Sequence, residues 1–179
     1  MNGIHEFDEF IPGDVCDAMV EWFRTRPKLP TGNLFNGKQL DYYNVQDFTI
    51  KRWMNAAKVD ATIAALQVFQ EQYLYVDYSA LVQWDPGSGM IVHADNCDQN
   101  GEPNYVSWRK YAGVIYLNDD FVGGETFFPN QGPLIIKPKK GKMVLYPAGL
   151  EYSHGVTTVV GTRFTMPLWF TEDKNRIEV

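Results

Sequence analysis

Residues 76–95 read VDYSALVQWDPGSGMIVHAD. The run 76–84 is mostly apolar and aromatic, Asp85-Pro86-Gly87-Ser88-Gly89 is five turn formers in succession, and 90–95 resumes an apolar run. Strand, turn, strand is the reading, and the pattern continues downstream. Short runs at 111–118, 126–128, 133–137, 142–146, 153–159 and 162–170 are separated by turn residues. Many short strands at this spacing predict an antiparallel sandwich or barrel.

Upstream the period changes. Val15, Ala18, Met19, Trp22 and Phe23 recur at i, i+3, i+4, i+7 and i+8, which predicts a helix capped by Asp14 and ended by Arg26-Pro27. Residues 28–46, rich in Gly, Asn and Tyr, read as loop or edge strand. From Phe48 to about Tyr75, Trp53, Met54, Ala57, Ala61, Ala64, Ala65, Val68 and Phe69 predict a second, long helix with a break near Lys58. Helices first and strands afterwards is an α+β, mainly β arrangement with the helices on one face of the sandwich.

The 179 residues predict one domain over 1–179, with a helical part to about residue 75 and a β core over about 76–171. Hydrophobic residues at 45% and charged residues at 21% suit a packed fold rather than a disordered chain. The net charge of -6 argues against a protein held on nucleic acid or anionic membrane by bulk charge. Cys16 and Cys97 form no framework and no CxxC pair, so a reducing compartment is expected. The opening Met1-Asn2-Gly3-Ile4-His5-Glu6 has no basic leader, and no apolar run nears the roughly 20 residues of a membrane span, so a soluble, cytoplasmic protein is expected. The pattern assigns no oligomeric state.

Chemistry enters with two of the three histidines. On a strand, residues i and i+2 leave the same face, so His93 and Asp95 can share a metal, with His154 as third ligand. Two His and one carboxylate on one side of an ion form a facial triad of the non-haem Fe(II) type, although His-x-Asp alone also arises by chance. Arg163 strengthens the reading. With Val160-Gly161 as a two-residue hairpin turn, His154, Val156 and Thr158 share a face with Arg163, Thr165, Pro167 and Trp169. Phe164, Met166, Leu168 and Phe170 then form the apolar face. That turn places Arg163 roughly 13 Å from His154, a gap for a short dicarboxylic acid held at one end by metal and at the other by guanidinium. The alternative is a rim salt bridge.

These residues resemble the 2-oxoglutarate and Fe(II)-dependent dioxygenases, in the prolyl 4-hydroxylase-like branch. The matching segments are WDPGSGMIVHADN (84–96), WRKYAGVIYLN (108–118), GGETFFP (123–129) and the block from His154 to Trp169, with Arg nine residues after His. Phe10 to Phe23 is similar to the first helix of that family. The resemblance implies a double-stranded β-helix (jelly-roll, cupin-like) with N-terminal supporting helices. It implies that His93, Asp95 and His154 are the catalytic metal ligands for Fe(II). It also implies that Arg163, Tyr116 and Thr126 hold 2-oxoglutarate, with Trp84 and Trp169 beside it. Arg109, seven residues before Tyr116, matches an Arg that contacts substrate peptide. Trp84 stands where the family often has a Tyr on the cosubstrate, so that hydrogen bond is expected to be either lost or replaced by the indole N–H. Met90 stands where a Tyr usually lines the proline pocket, and a thioether cannot hydrogen-bond like a phenol.

The implied reaction oxidises 2-oxoglutarate to succinate and CO2 with O2 and hydroxylates substrate, with ascorbate as a reductant of inactive iron. Hydroxylation of a peptidyl side chain, with proline the first candidate, is the expected function. The alternatives are the same chemistry on a free amino acid or other small molecule, and a metal-binding jelly-roll module without turnover. Cys97 to Ser107 reads as a loop over the pocket or an ordinary surface loop, and KPKKGK (137–142) as a solvated turn.

Overall fold

The computed structural model describes residues 3–32, 35–132 and 134–179. Pro133, where the 133–137 run begins, lies outside them, as do Met1 and Asn2 of the leader reading. Eleven strands are described: β1 (His5–Phe7), β2 (Leu29–Pro30), β3 (Gly37–Asp41), β4 (Tyr75–Trp84), β5 (Met90–His93), β6 (Tyr111–Tyr116), β7 (Thr126–Phe128), β8 (Leu134–Ile136), β9 (Met143–Pro147), β10 (His154–Val156) and β11 (Arg163–Thr171). Helices α1 (Gly13–Arg24) and α2 (Phe48–Phe69) complete the list with short 3₁₀ turns. The strands form a seven-stranded sheet, β1-β9-β6-β11-β4-β3-β2, and a four-stranded sheet, β5-β10-β7-β8, with antiparallel pairing throughout.

Alternation along β11 fixes the layers. Phe164, Met166, Leu168 and Phe170 face the helices, where they pack with Met19, Val20 and Phe23 of α1 and Met54, Ala61 and Ala65 of α2. The opposite face looks between the sheets, into clusters around Tyr116, Phe128 and Tyr146 and around Ala80, Val82, Trp84 and Val156. Helices cover one face of the large sheet, and the small sheet covers the other.

The N-terminal third departs from expectation in three places. Helix α1 starts at Gly13 after Pro12, and Asp14 lies in its first turn instead of capping it. Helix α2 runs unbroken through Lys58, because the Lys58 ammonium is not left bare in the core: it lies 2.8 Å from Glu178 Oε2 and 3.6 Å from the Tyr42 ring centroid. It is capped by Asp47, whose carboxylate accepts from Thr49 N and Ile50 N, and it stops at Phe69 because Gln70 turns left-handed at φ 57°. The part expected to be helical also contributes β1 to the large sheet, whereas β2 and β3 lie in the 28–46 stretch read as loop or edge strand, with β2 at the sheet's edge.

The 160–161 hairpin is absent. Strand β10 is only three residues long and pairs with β5 and β7, whereas β11 lies between β6 and β4 in the other sheet. Val160 instead bridges Val122, and the chain crosses from one sheet to the other. The roughly 13 Å spacing built on that turn falls with it. The face assignment along β11 survives, because it depends on strand alternation and not on the turn.

Both cysteines are free, and burial pushes the Cys16 thiol up to about 11. Lysines of the 137–142 turn pair with the N-terminal segment, Lys142 with Glu6 at 2.6 Å and Lys140 with Asp17 at 2.9 Å. No helix among the described residues is long and apolar enough to cross a membrane.

Glu178 also accepts from Ser79 N at 2.8 Å and from Ser79 Oγ, so its carboxylate ties the chain end to β4 and α2. Replacing Glu178 by Gln strands the Lys58 charge in a buried place and is expected to cost about 3–5 kcal/mol in urea unfolding.

Candidate active site

The small sheet brings the three expected ligands together. His93 ends β5, Asp95 follows two residues on, and His154 opens β10 directly across from His93. One ligand atom from each lies within 4.8 Å of the others. His93 Nδ1 sits 3.0 Å from Ile91 O and His154 Nδ1 3.1 Å from Tyr152 O. A carbonyl can only accept, so each Nδ1 carries the proton and each Nε2 keeps its lone pair for an ion. Burial holds the His154 pKa below the ordinary imidazole range, which keeps that ring neutral.

Asp95 is oriented with equal care. Trp169 Nε1 donates to its Oδ1 at 2.9 Å, while Oδ2 is buried without a partner and lies 4.0 Å from His154 Nε2. A buried carboxylate oxygen left bare beside an imidazole lone pair is costly unless a cation comes between them. The donor set of two imidazoles and one carboxylate suits Fe(II) and leaves coordination positions open. Asp95 N and Asn96 N donate to Ala148 O, and Asn104 Nδ2 donates to Asp95 O, so the chain beyond the metal ligands is closed by a small network.

Arg163 opens β11 at 1% exposure. Its Nε and Nη1 have no partner, and its guanidinium lies 4.6 Å from the Trp84 ring centroid and 5.3 Å from that of Tyr116. Burial lowers its pKa, yet a guanidinium stays protonated at neutral pH, so the cavity holds an uncompensated positive charge. Its position is set by motif residues. Asn118 of YLN donates to Thr162 O at 2.8 Å and accepts from Phe164 N at 2.6 Å, strapping the residues on either side of Arg163. Gly123 and Gly124 of GGET have φ of 74° and 67°, and a Cβ on Gly124 would meet Arg163 Cδ at 3.0 Å.

Thr126 and Tyr116 share a 2.8 Å hydrogen bond, both buried, and the ring of Tyr116 flanks Arg163. Of the two alternatives for Trp84, the geometry favours loss of the hydrogen bond. The Trp84 indole N–H donates to Thr165 Oγ1 at 3.2 Å, so it presents a ring face, stacked on Phe35 at 3.7 Å, and no free donor. Met90 is half-buried opposite Val156 and packs in the cluster with Trp84. Arg109 lies 4.4 Å over the Trp169 ring, with its Nε 3.1 Å from Asp77 Oδ2.

Two residues of this site escaped the sequence reading. Tyr146 of β9 places its hydroxyl 3.2 Å from His154 Nε2, and burial holds its pKa well above the ordinary phenol. The alternation Val144, Tyr146 along β9 was the available signal, but a buried Tyr on a core strand reads as packing. Asp77, which anchors Arg109, sits 32 residues from it in sequence and only the large sheet and the loop before β6 bring them together.

The profile of the 2OG-Fe(II) oxygenase superfamily matches residues 79–171, just over half of the chain. The chain belongs to the 2OG-Fe(II) oxygenase superfamily. Human prolyl 3-hydroxylase 3 is 40% identical over 92 residues, which cover 45% of this chain and 12% of that protein. The chain thus matches only a small part of that much longer relative. A prolyl 4-hydroxylase from Pseudomonas putida superposes with a TM-score of 0.77 at 18% identity, covering 97% of this chain and 94% of its own. A prolyl hydroxylase from Trichoplax adhaerens, in complex with a hypoxia inducible factor peptide fragment, gives 0.77 at 16%, covering 98% and 86%. The two structures establish the jelly-roll fold, and the superfamily's Fe(II), 2-oxoglutarate and O2 fit the donor set and the bare guanidinium found here.

Two outcomes follow from this geometry. Trp169→Phe, which removes the donor on Asp95 Oδ1, is expected to weaken metal binding about 10–100-fold in anaerobic titration calorimetry, and Asp95→Asn to weaken it further. Arg163→Met removes a buried charge without a partner, so thermal and urea unfolding of the metal-free protein are expected to show unchanged or higher stability, by about 1–4 kcal/mol.

Proposed function

We propose that this superfamily member hydroxylates a prolyl residue within a peptide or protein. The observation that carries the reading is the pairing, between the same two sheets, of a bare carboxylate oxygen on Asp95 with a bare guanidinium on Arg163. A metal module without turnover has use for the first but not for the second. In this reading His93, Asp95 and His154 hold the iron, and Arg163 takes the distal carboxylate of 2-oxoglutarate. Tyr116 and Thr126, already bonded to each other, supply a hydroxyl beside it.

When bound, Fe(II) with 2-oxoglutarate and O2 supplies an oxidative decarboxylation to succinate and CO2 and the oxidant that hydroxylates a C–H bond. The chain's own part is positional. Trp169 and the two backbone carbonyls hold the ligands facing inward. Tyr146, Phe128 and the Trp84 ring exclude water, and the low polarity strengthens the Arg163 charge toward its carboxylate partner. Arg109, Met90 and Trp169 lie toward the substrate. A similar sequence is that of a prolyl 3-hydroxylase and a similar fold that of a prolyl 4-hydroxylase, which supports proline as the residue and leaves the ring carbon to be read from the product. Ascorbate would serve as reductant of inactive iron.

With Fe(II), 2-oxoglutarate, ascorbate and O2, the wild type is expected to form succinate, and His93→Ala to form none above background. Mass spectrometry is expected to find +16 Da on proline-containing peptides and not on free proline or other free amino acids. Arg163→Met should leave 2-oxoglutarate unable to raise the melting temperature of the metal-loaded protein. Succinate formation with a +16 Da product only on small molecules would overturn the peptidyl reading.

A further inference from the structure

The Tyr146 hydroxyl is the polar group of the site that the metal ligands and Arg163 leave without a part. Its residue is 2% exposed, with the ring wedged between Phe128, 5.0 Å away between centroids, and His154, 4.7 Å away. Its backbone is fixed opposite Ala112 in the β6–β9 ladder. Among the described residues the hydroxyl has one partner, His154 Nε2 at 3.2 Å. The His154 proton sits on Nδ1, so the phenol donates and the Nε2 lone pair accepts. The hydroxyl therefore occupies the same lone pair that a metal needs. An ion on His154 leaves it buried and in want of an acceptor, which is a costly state. The neighbouring oxygens are already spoken for: Tyr116 is bonded to Thr126, and Asp95 Oδ1 takes the Trp169 N–H. That leaves Asp95 Oδ2, itself turned toward the ion, and whatever oxygen the ion holds. Position is the second observation. Asp95 at the metal end and Tyr116 and Arg163 at the other all act electrostatically on the Tyr146 hydroxyl, so it stands between the two ends of the cavity.

We propose that Tyr146 is a switched donor for the cosubstrate: in the metal-free chain its O–H caps the His154 Nε2 lone pair, and with metal bound the O–H turns to the keto-acid end of 2-oxoglutarate. This rests on the placement of 2-oxoglutarate between the metal ligands and Arg163 given above. The switch needs only rotation about the C–O bond, because the ring is held by its neighbours. An oxygen of an anionic keto acid in a dry site is a stronger acceptor than a neutral imidazole nitrogen, so the bond gained outweighs the bond given up. Tyr146 thus opposes metal binding alone and favours metal and cosubstrate together. By linkage, 2-oxoglutarate then raises metal affinity by the same factor that metal raises its own. A ring that served only as packing would do neither.

The test is anaerobic titration calorimetry of the full chain with Fe(II) alone, and then of the Fe(II)-loaded chain with 2-oxoglutarate. Tyr146→Phe is expected to bind Fe(II) about 2–10-fold more tightly than the wild type and 2-oxoglutarate about 10–100-fold more weakly. The visible charge-transfer band of the ferrous keto-acid chelate is expected to move to shorter wavelength in the variant, since the donor on the chelate is gone. Losses of similar size in both affinities, or no change in either and an unmoved band, overturn the inference and leave Tyr146 as packing. Weaker Fe(II) binding with unchanged 2-oxoglutarate binding also overturns it, by putting the O–H on Asp95 Oδ2. Should Tyr146→Phe not fold, Tyr146→Met carries the same titrations, as an apolar side chain that adapts to the space without a hydroxyl. Arg163→Met separates the inference from the placement beneath it. If Arg163→Met loses 2-oxoglutarate and Tyr146→Phe keeps it, the inference alone falls; if Arg163→Met binds it as the wild type does, the placement falls and the inference with it.

Discussion

Arg163 is a positive charge buried between two sheets with two of its donors unmet, and much of the architecture is arranged around keeping it there. An ion in such a place costs several kcal/mol, so the surroundings must over-determine it. Asn118 ties down the backbone on both sides of it. Gly124 gives up a side chain to clear its methylenes, and Trp84 and Tyr116 offer it π faces in place of a carboxylate. The opposite face of the same strand supplies the compensation: Phe164, Met166, Leu168 and Phe170 seal against two helices, so the strand that carries the charge is also central to the main core. YLN and GGET are therefore devices for one side chain, and their spacing reflects the crossing of strands rather than any contact within a motif.

The metal end of the cavity is built on the same principle with the opposite sign. Asp95 Oδ2 is bare and negative where Arg163 is bare and positive. The polar atoms that orient the ligands are committed: the two Nδ1 atoms to carbonyls, Asp95 Oδ1 to Trp169, Asn104 to Asp95 O. Sites that leave buried charges unmatched give up stability for ligand affinity. Beside Trp169 a third charge is matched instead of left bare, where Asp77 Oδ2 accepts from Arg109 Nε and Trp108 Nε1.

The strands were legible because period-two alternation and turn residues are local signals. The runs at 76–84, 111–118 and 126–128 lie within a residue or two of β4, β6 and β7. Helix boundaries were less so. Lys58 reads as a break only when Glu178, 120 positions away, is out of view, and Gln70 ends α2 by a left-handed turn that no glycine announces. The supposed hairpin at 160–161 failed for a related reason. A Val-Gly step fits a two-residue turn locally, but whether the next strand returns to its neighbour or crosses to the opposite sheet is settled by what already occupies the edges.

By itself the sequence determined the chemical inventory and which face of each strand it leaves: His93 and Asp95 two residues apart, Arg163 opposite Phe164, the glycines of GGET. Those follow from backbone geometry that acts over a few residues. Tertiary structure alone decided which groups meet and which are left without partners. It spent the Trp84 N–H on Thr165, placed the Tyr146 hydroxyl against His154 and joined Asp77 to Arg109. Hydrogen bonds and charge pairs act over a few ångströms, and residues 8, 32 or 81 positions apart come within that range only when the sheets have closed.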